Sequence, residues 1–327
     1  MPVMSYIEAV TTALKEEMQR DEKVFILGED VGKKGGVFRA TDGLYDEFGE
    51  DRVLDTPLAE SAIAGVGIGA AMYGMRPVAE MQFADFIMPA VNQIISEAAK
   101  IRYRSNNDWS APITIRAPYG GGVHGALYHS QSVEAVFANQ PGLKIVMPST
   151  PYDAKGLLKA SIRDNDPVLF FEHKRAYRLL KGDVPEDDYV IPIGEADVKR
   201  EGSDITIITY GLCVHFALQA AEKLAEDGID AHILDLRTVY PLDKEAIITA
   251  TKKTGKVLLI TEDNKEGSII GEVAAIIAEN CLFDLDAPVQ RLAGPDVPSM
   301  PFAPTMEKYF MINPEKVEKA MRELAEF

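Results

Sequence analysis

The chain has 327 residues, 46% hydrophobic and 26% charged, a globular composition with length enough for two domains. Acids outnumber bases 51 to 34, a formal charge of −17. That balance argues against nucleic acid and anionic membrane as partners, and leaves solubility or a basic protein partner as its purpose.

Residues 1–23 read as an amphipathic helix carrying acids, unlike a secretory or transit signal. No apolar run approaches the roughly 20 residues of a membrane span. Short β-rich runs then alternate with helical stretches. KVFIL (23–27), RVLD (52–55), PVAEMQF (77–83), PITIRAP (112–118), LKIVMP (143–148) and PVLFFE (167–172) predict strands, and 86–104 and 151–163 predict helices. Apolar strands separated by helices imply a parallel sheet covered on both faces. The acidic stretch 181–204, with prolines and glycines and no sustained period, reads as a connection holding a short strand or two. Alternation restarts with strands at 205–211, 230–239, 256–263 and 288–292 and helices at 214–227, 243–253 and 268–279. A last helix over 314–325 has Asn313 to cap it and Pro314 in its first position. The fold class is therefore α/β in two domains: 1–180, a linker over 181–203, and a smaller domain over 204–327. Cys213 and Cys281 lie far apart and form no CxxC pair, so no disulfide framework or zinc site is expected, and the setting is read as reducing and cytoplasmic.

Chemistry is suggested at few places. In LDTPLAESAIAGVGIGAAMYG (54–74) the carboxylate of Glu60 opens an apolar, Gly/Ala-rich helix. Burying a carboxylate is costly unless it is paired, hydrogen-bonded or protonated, so Glu60 is either satisfied by the helix dipole or held for chemistry. Gly65, Gly67 and Ala70 match a dinucleotide fingerprint, but that fingerprint needs a preceding strand, and AESAIA is already helical. Close helix packing explains these small residues better than a nicotinamide site. APYGGGVHGALYHSQS (117–132) follows an apolar strand and puts His124 and His129 on a glycine-rich loop, where α/β folds place their sites. Metal binding there lacks a third ligand. No P-loop, nucleophile elbow, HExxH, or Gly-Asp-Gly preceding a distant Asn is present.

LGEDVGKKGGVFRATDGL, DTPLAESAIAG, MQFADF, YRS, IRAPYGGGVHGALYHSQS, PSTPYDAKGLL and DLRTVYPLD together resemble the β subunits of thiamine-diphosphate-dependent 2-oxo acid dehydrogenases. HGALYHSQS with QFADF is similar to the branched-chain branch of that family rather than the pyruvate branch. The resemblance covers essentially the whole chain. It implies a transketolase-like pyrimidine-binding domain followed by a transketolase C-terminal domain, working as an α2β2 heterotetramer with the cofactor shared between subunits. Magnesium and the diphosphate would be held by the α subunit, which fits the missing Gly-Asp-Gly motif. Glu60 would hydrogen-bond the aminopyrimidine ring and so help generate the reactive carbanion. Phe86 would lie against that ring, Leu58 and Gln82 would line the pocket, and Glu29 would sit near Glu60. His129 would meet the lipoyl group of the dihydrolipoyl acyltransferase, whose basic peripheral-subunit-binding domain would dock on the acidic C-terminal domain, including the terminal carboxylate of Phe327. A potassium site is implied at Ala111, Ile113, Thr114, Ser161, Asp164 and Asp166, where some relatives have Asn in place of Asp166. The competing readings are a pyruvate or acetoin dehydrogenase β subunit, a non-catalytic assembly subunit and a nicotinamide oxidoreductase.

Overall fold

A computed structural model describes residues 1–327, which form two compact units. The first comprises Met1–Tyr119 and Val136–Ile193, the second Gly120–Ala135 and Gly194–Phe327. No helix is long and apolar enough to cross a membrane.

In the first unit, β1 (Val3–Ser5) leads into α1 (Tyr6–Arg20), followed by β2 (Val24–Gly28), α2 (Leu44–Phe48), β3 (Val53–Asp55), α3 (Glu60–Met72) and β4 (Arg76–Glu80). After a helical ribbon come α4 (Ile101–Arg104) and β5 (Thr114–Tyr119). The chain re-enters the unit within α5 (Glu134–Ala138) and continues through β6 (Lys144–Val146), α6 (Pro151–Arg163), β7 (Val168–His173), α7 (Ala176–Leu179) and β8 (Lys181–Asp183). The parallel strands lie in the order β6-β7-β5-β4-β2-β3. β2, β5 and β7 are buried along their whole length, which is why they read as mainly apolar runs without in–out alternation.

Helix α1 starts with a capping box between Ser5 and Glu8 and buries Tyr6, Val10, Leu14 and Met18 into the core. It packs on α6, whose N-terminus is capped by Thr150 with Pro151 in the first turn. Charges inside that contact are all paired. Glu17 accepts from Arg163 at 2.6 Å, and Lys155 and Lys159 meet Glu16 at 2.7 and 2.5 Å. The predicted helix over 86–104 is broken instead into a 3-10 stretch Ala84–Ala90, a π-helical turn Gln93–Ala98 and α4. Pro89 lies inside the first piece, where it has no N–H to donate and its ring crowds the preceding turn. The segment 181–204, expected to be a connection holding a short strand or two, contributes β8, which pairs with β1.

In the second unit, β9 (Asp197–Arg200) is followed by β10 (Ile205–Thr209), α8 (Cys213–Glu226), β11 (Ala231–Asp235) and β12 (Thr238–Tyr240). Then come α9 (Lys244–Thr254), β13 (Val257–Asn264), α10 (Ile269–Cys281), β14 (Gln290–Gly294), α11 (Pro304–Phe310) and α12 (Pro314–Ala325). The sheet order is β14-β13-β10-β11-β9, parallel except for β9. Asn313 caps α12 by accepting from the Lys316 N–H, with Pro314 at the start, as its sequence predicts. Cys213 and Cys281 are both free and buried.

Candidate active site

β2 lies between β3 and β4, so the chain leaves it for β3 on one side and then returns past it to β4 and β5 on the other. Ligands of open α/β sheets bind outside the carboxyl ends of strands at such a reversal. The residues expected at the site come from this rim. Glu29 directly follows β2, Leu58 and Glu60 follow β3, and Gln82 and Phe86 follow β4.

The rim is built tightly where glycines permit it. The Gly32 N–H donates to Asp55 Oδ1 at 2.6 Å, and a Cβ on Gly32 would stand 2.4 Å from Asp55 Oδ2. This ties the loop after β2 to the end of β3, next to both carboxylates. The Glu29 carboxyl is raised above its ordinary pKa by burial, then by the negative charges of Asp30 and Glu60. The Glu29 carboxyl thus lies within electrostatic reach of Glu60. Phe86 is held edge-on by Phe83 with ring centroids 5.5 Å apart, and Phe83 in turn by Phe38 at 5.3 Å.

The apolar helix behind Glu60 is buried on one face only. Ile63, Ala64, Gly67, Ile68 and Ala71 are buried, but Ala62, Gly65, Val66, Gly69 and Tyr73 form an exposed stripe, Glu60 is half-buried, and Leu58 is 70% exposed. A helix whose small residues face both ways reads as buried all round, whichever side is covered. Gly67 confirms the packing explanation of the false fingerprint, since a Cβ there would stand 2.7 Å from Ile113 Cδ1.

Beneath the rim lies a row of charges that sequence reasoning missed. Arg116 of β5 is fully buried and meets Glu80 of β4 at 2.6 Å and both oxygens of Glu172 of β7 at 2.6 Å. Tyr177 donates to the same Glu172 carboxylate. Burial pushes the Glu80 pKa up. Burial also works against a charged Arg116, yet the carboxylates of Glu172 and Glu80 more than offset it. The available signal was an arginine inside the apolar strand TIRAPY, where a charge persists only if paired.

His124 and His129 lie in the second unit, on the loop Gly120–Ala135. His129 is half-buried and ends the short 3-10 turn Ala126–Tyr128. His124 is no lone pocket residue: its Nδ1 stands 2.6 Å from Glu307 Oε2. The Gly121 N–H donates to Glu262 Oε1 at 2.6 Å, and Tyr210 donates to Glu134 Oε1 at 2.7 Å. Burial, with the charge of Asp263 nearby, pushes the Glu134 carboxyl up to about 8, and burial raises Asp263 to about 6.

Ala111, Ile113 and Thr114 lie at the entry to β5, and Ser161, Asp164 and Asp166 at the end of α6 and its turn into β7, the strand that pairs with β5 from Thr114 and Val168 onward. Asp164 already receives the Lys144 ammonium at 2.6 Å and Asp166 the Arg102 Nε at 2.5 Å. No group of three or more His, Cys, Asp or Glu side chains is placed to hold a metal. A cavity of about 510 Å³ opens beside this edge, among Lys23, Arg76, Trp109 and Asn165, away from the rim that carries Glu29 and Glu60.

Comparison with known proteins settles the family. Residues 3–179 match the transketolase pyrimidine-binding domain and residues 194–317 the transketolase C-terminal domain. Over all 327 residues, and the whole of both chains, the sequence is 83% identical to 2-oxoisovalerate dehydrogenase subunit beta of Bacillus subtilis. The chain belongs to the 2-oxo acid dehydrogenase β subunits. It is 50% identical, again over the full length of both, to the pyruvate dehydrogenase E1 component subunit beta of the same organism. Among solved structures, a split-gene transketolase described as an inactive beta4 tetramer shares the fold, with TM-score 0.80 at 23% identity, covering 99% of this chain and 98% of that one. For a 2-oxo acid dehydrogenase β subunit, the rim at β2, β3 and β4 lies in the pyrimidine-binding part of the sequence.

Proposed function

We propose that this chain is the β half of a branched-chain 2-oxo acid dehydrogenase. With an α subunit it decarboxylates 3-methyl-2-oxobutanoate and related acids, and passes the acyl group to a lipoyl group of an acyltransferase. The observation that carries this reading is the 83% full-length identity to a 2-oxoisovalerate dehydrogenase subunit beta, against 50% to a pyruvate dehydrogenase relative.

The rim fits the aminopyrimidine of thiamine diphosphate by its chemistry. Phe86, braced by Phe83, offers an aromatic face, worth about 0.5–1.5 kcal/mol beyond burial. Glu60 holds a proton against a ring nitrogen. Glu29, which burial and its acidic neighbours bias toward the protonated form, keeps the pair able to carry that proton. Gln82 and Leu58 complete the wall. When bound, the cofactor supplies the electron sink for loss of carbon dioxide. His129 donates a proton to the dithiolane sulfur as the acyl group moves to lipoate.

The open Leu58 and the exposed stripe of α3 support a site closed by another chain, in an α2β2 assembly. The absent Gly-Asp-Gly motif supports magnesium and diphosphate binding by the α subunit. A potassium ion near Ala111, Ile113 and Thr114 would rest mainly on carbonyl oxygens, because Asp164 and Asp166 already meet cationic side chains. The formal charge of −17 supports docking of a basic binding domain on residues 204–327, and two free, buried cysteines support a cytoplasmic setting.

The test is turnover by this chain mixed with its α subunit, thiamine diphosphate and magnesium, with each subunit alone as control. Turnover confined to the mixture and preferring the branched acid supports the reading. Preference for pyruvate overturns the specificity, and no turnover by a well-formed complex leaves an assembly role.

A further inference from the structure

We propose that Glu307 and Glu262 are positioning residues that fix His129 for acyl transfer, by clamping the loop Gly120–Ser132 at His124 and Gly121. This rests on the reading of His129 given above.

The loop adopts a backbone that needs holding. His124 and Ala126 have φ of 55° and 54°, conformations that L side chains rarely take, and Gly120 and Gly122 are also left-handed. Two carboxylates from separate elements supply the hold. Glu262 of β13 accepts the Gly121 N–H at 2.6 Å. Glu307 of α11 accepts the His124 N–H at 3.1 Å with one oxygen and meets His124 Nδ1 at 2.6 Å with the other. The Glu307 side chain is only 5% exposed while that of His124 is 60% exposed, so the fixed member of the pair is the glutamate. Gly121 also presses on the small cluster of Met300, Phe310 and Met311, since a Cβ there would stand 2.4 Å from Met300 Sδ and 2.7 Å from Met311 Sδ.

The clamp reaches His129 through one residue. A Cβ on Gly125 would lie 2.7 Å from His129 Cβ and 2.8 Å from its carbonyl oxygen, so Gly125, bonded to His124, packs directly on His129. The Gly120 N–H closes the far side by donating to the Gln131 carbonyl at 3.1 Å. Displacing His124 therefore moves the backbone that carries the His129 ring. A displacement of about an ångström is enough to cost roughly 100-fold in a step that needs alignment.

The experiment uses the assembled holoenzyme and separates two half-reactions. Decarboxylation of 3-methyl-2-oxobutanoate is read with an artificial electron acceptor, and acylation is read on an isolated lipoyl domain. Glu307→Ala is expected to lower kcat for lipoyl acylation by roughly 10- to 100-fold, with KM for the domain little changed and decarboxylation within about twofold. Glu307→Gln, which keeps an acceptor for the His124 N–H, should restore part of the loss. If Glu307→Ala does not fold, Glu262→Ala, which removes the acceptor for the Gly121 N–H, tests the other jaw with the same split. An equal fall of both half-reactions, or no fall in acylation, overturns the proposal while wild-type turnover leaves the functional reading standing. A wild-type holoenzyme that decarboxylates but does not acylate the lipoyl domain, or does neither, overturns both.

Discussion

Replacing Arg116 by methionine tests the charged row under the site. The guanidinium is fully buried and makes contacts of 2.6 Å to Glu80 and to both oxygens of Glu172. Methionine fills much of the volume but leaves two carboxylates buried without their cation. Breaking a buried pair this way costs about 3–5 kcal/mol, a factor of roughly 100 to 5,000 in the folding constant. Part of the cost is relieved by protonation, which gives the prediction a sign in pH. Burial already raises the Glu80 pKa, and without the guanidinium that holds it down it rises further, so the folded state binds more protons. Its favourable contribution is then complete below the unfolded carboxylate pKa and is lost as pH rises through the folded value. The loss of stability in Arg116→Met is therefore expected to grow from pH 5 to pH 8. Urea unfolding of the variant and wild type at both pH values measures it, and adding Glu80→Gln and Glu172→Gln should recover most of the loss. A cost under about 1 kcal/mol, or one independent of pH, would refute the view that Arg116 neutralises this row.

Glu60→Gln should leave assembly with the α subunit intact and reduce decarboxylation by at least about 100-fold, measured as turnover per assembled complex. Glu134→Gln should flatten the fall of Tm between pH 6 and pH 9. The raised carboxyls, at about 8 for Glu134 and about 6 for Asp263, favour the folded state below the ordinary carboxylate range, and this is lost as pH climbs through those values. Identical slopes for variant and wild type would remove Glu134 from that account. Exchanging sodium for potassium should raise Tm by about 2 °C or more if the carbonyl cluster at Ala111 and Thr114 binds the ion, and equal melting curves argue against it. Neutralising exposed acids within residues 204–327 should flatten the salt dependence of docking to the acyltransferase's binding domain, and an unchanged slope would sink electrostatic docking.

Elements whose signals are local were readable. Helix α6 spans 151–163 as its periodicity predicts, because Thr150 and Pro151 mark its start. The predicted helix over 86–104 was not, because Pro89 and a π-helical turn divide an apolar pattern that a period count treats as continuous. The run 230–239 reads as one strand but divides into β11 and β12, with Arg237 between them at φ 52°. The Arg237 N–H donates to Asp235 Oδ1 at 3.0 Å, a turn that no glycine or asparagine announces.

The same division separates the site residues. Glu29, Glu60, Gln82 and Phe86 each follow a strand by a few residues, so a motif fixes both their identity and their place on the rim. Glu307 stands 183 residues from the His124 it clamps, in a helix whose own pattern asks only that this position be buried. Nothing local distinguishes such a glutamate from any other buried acid until the fold supplies its partner. Leu58 is the opposite case: its place in the motif is plain, yet it is 70% exposed. A motif records what a position does in the assembled enzyme, whereas burial records what one chain covers by itself. Where the two disagree, as at Leu58 and along the outer stripe of α3, the exposed surface is the one that the proposed function assigns to a covering chain.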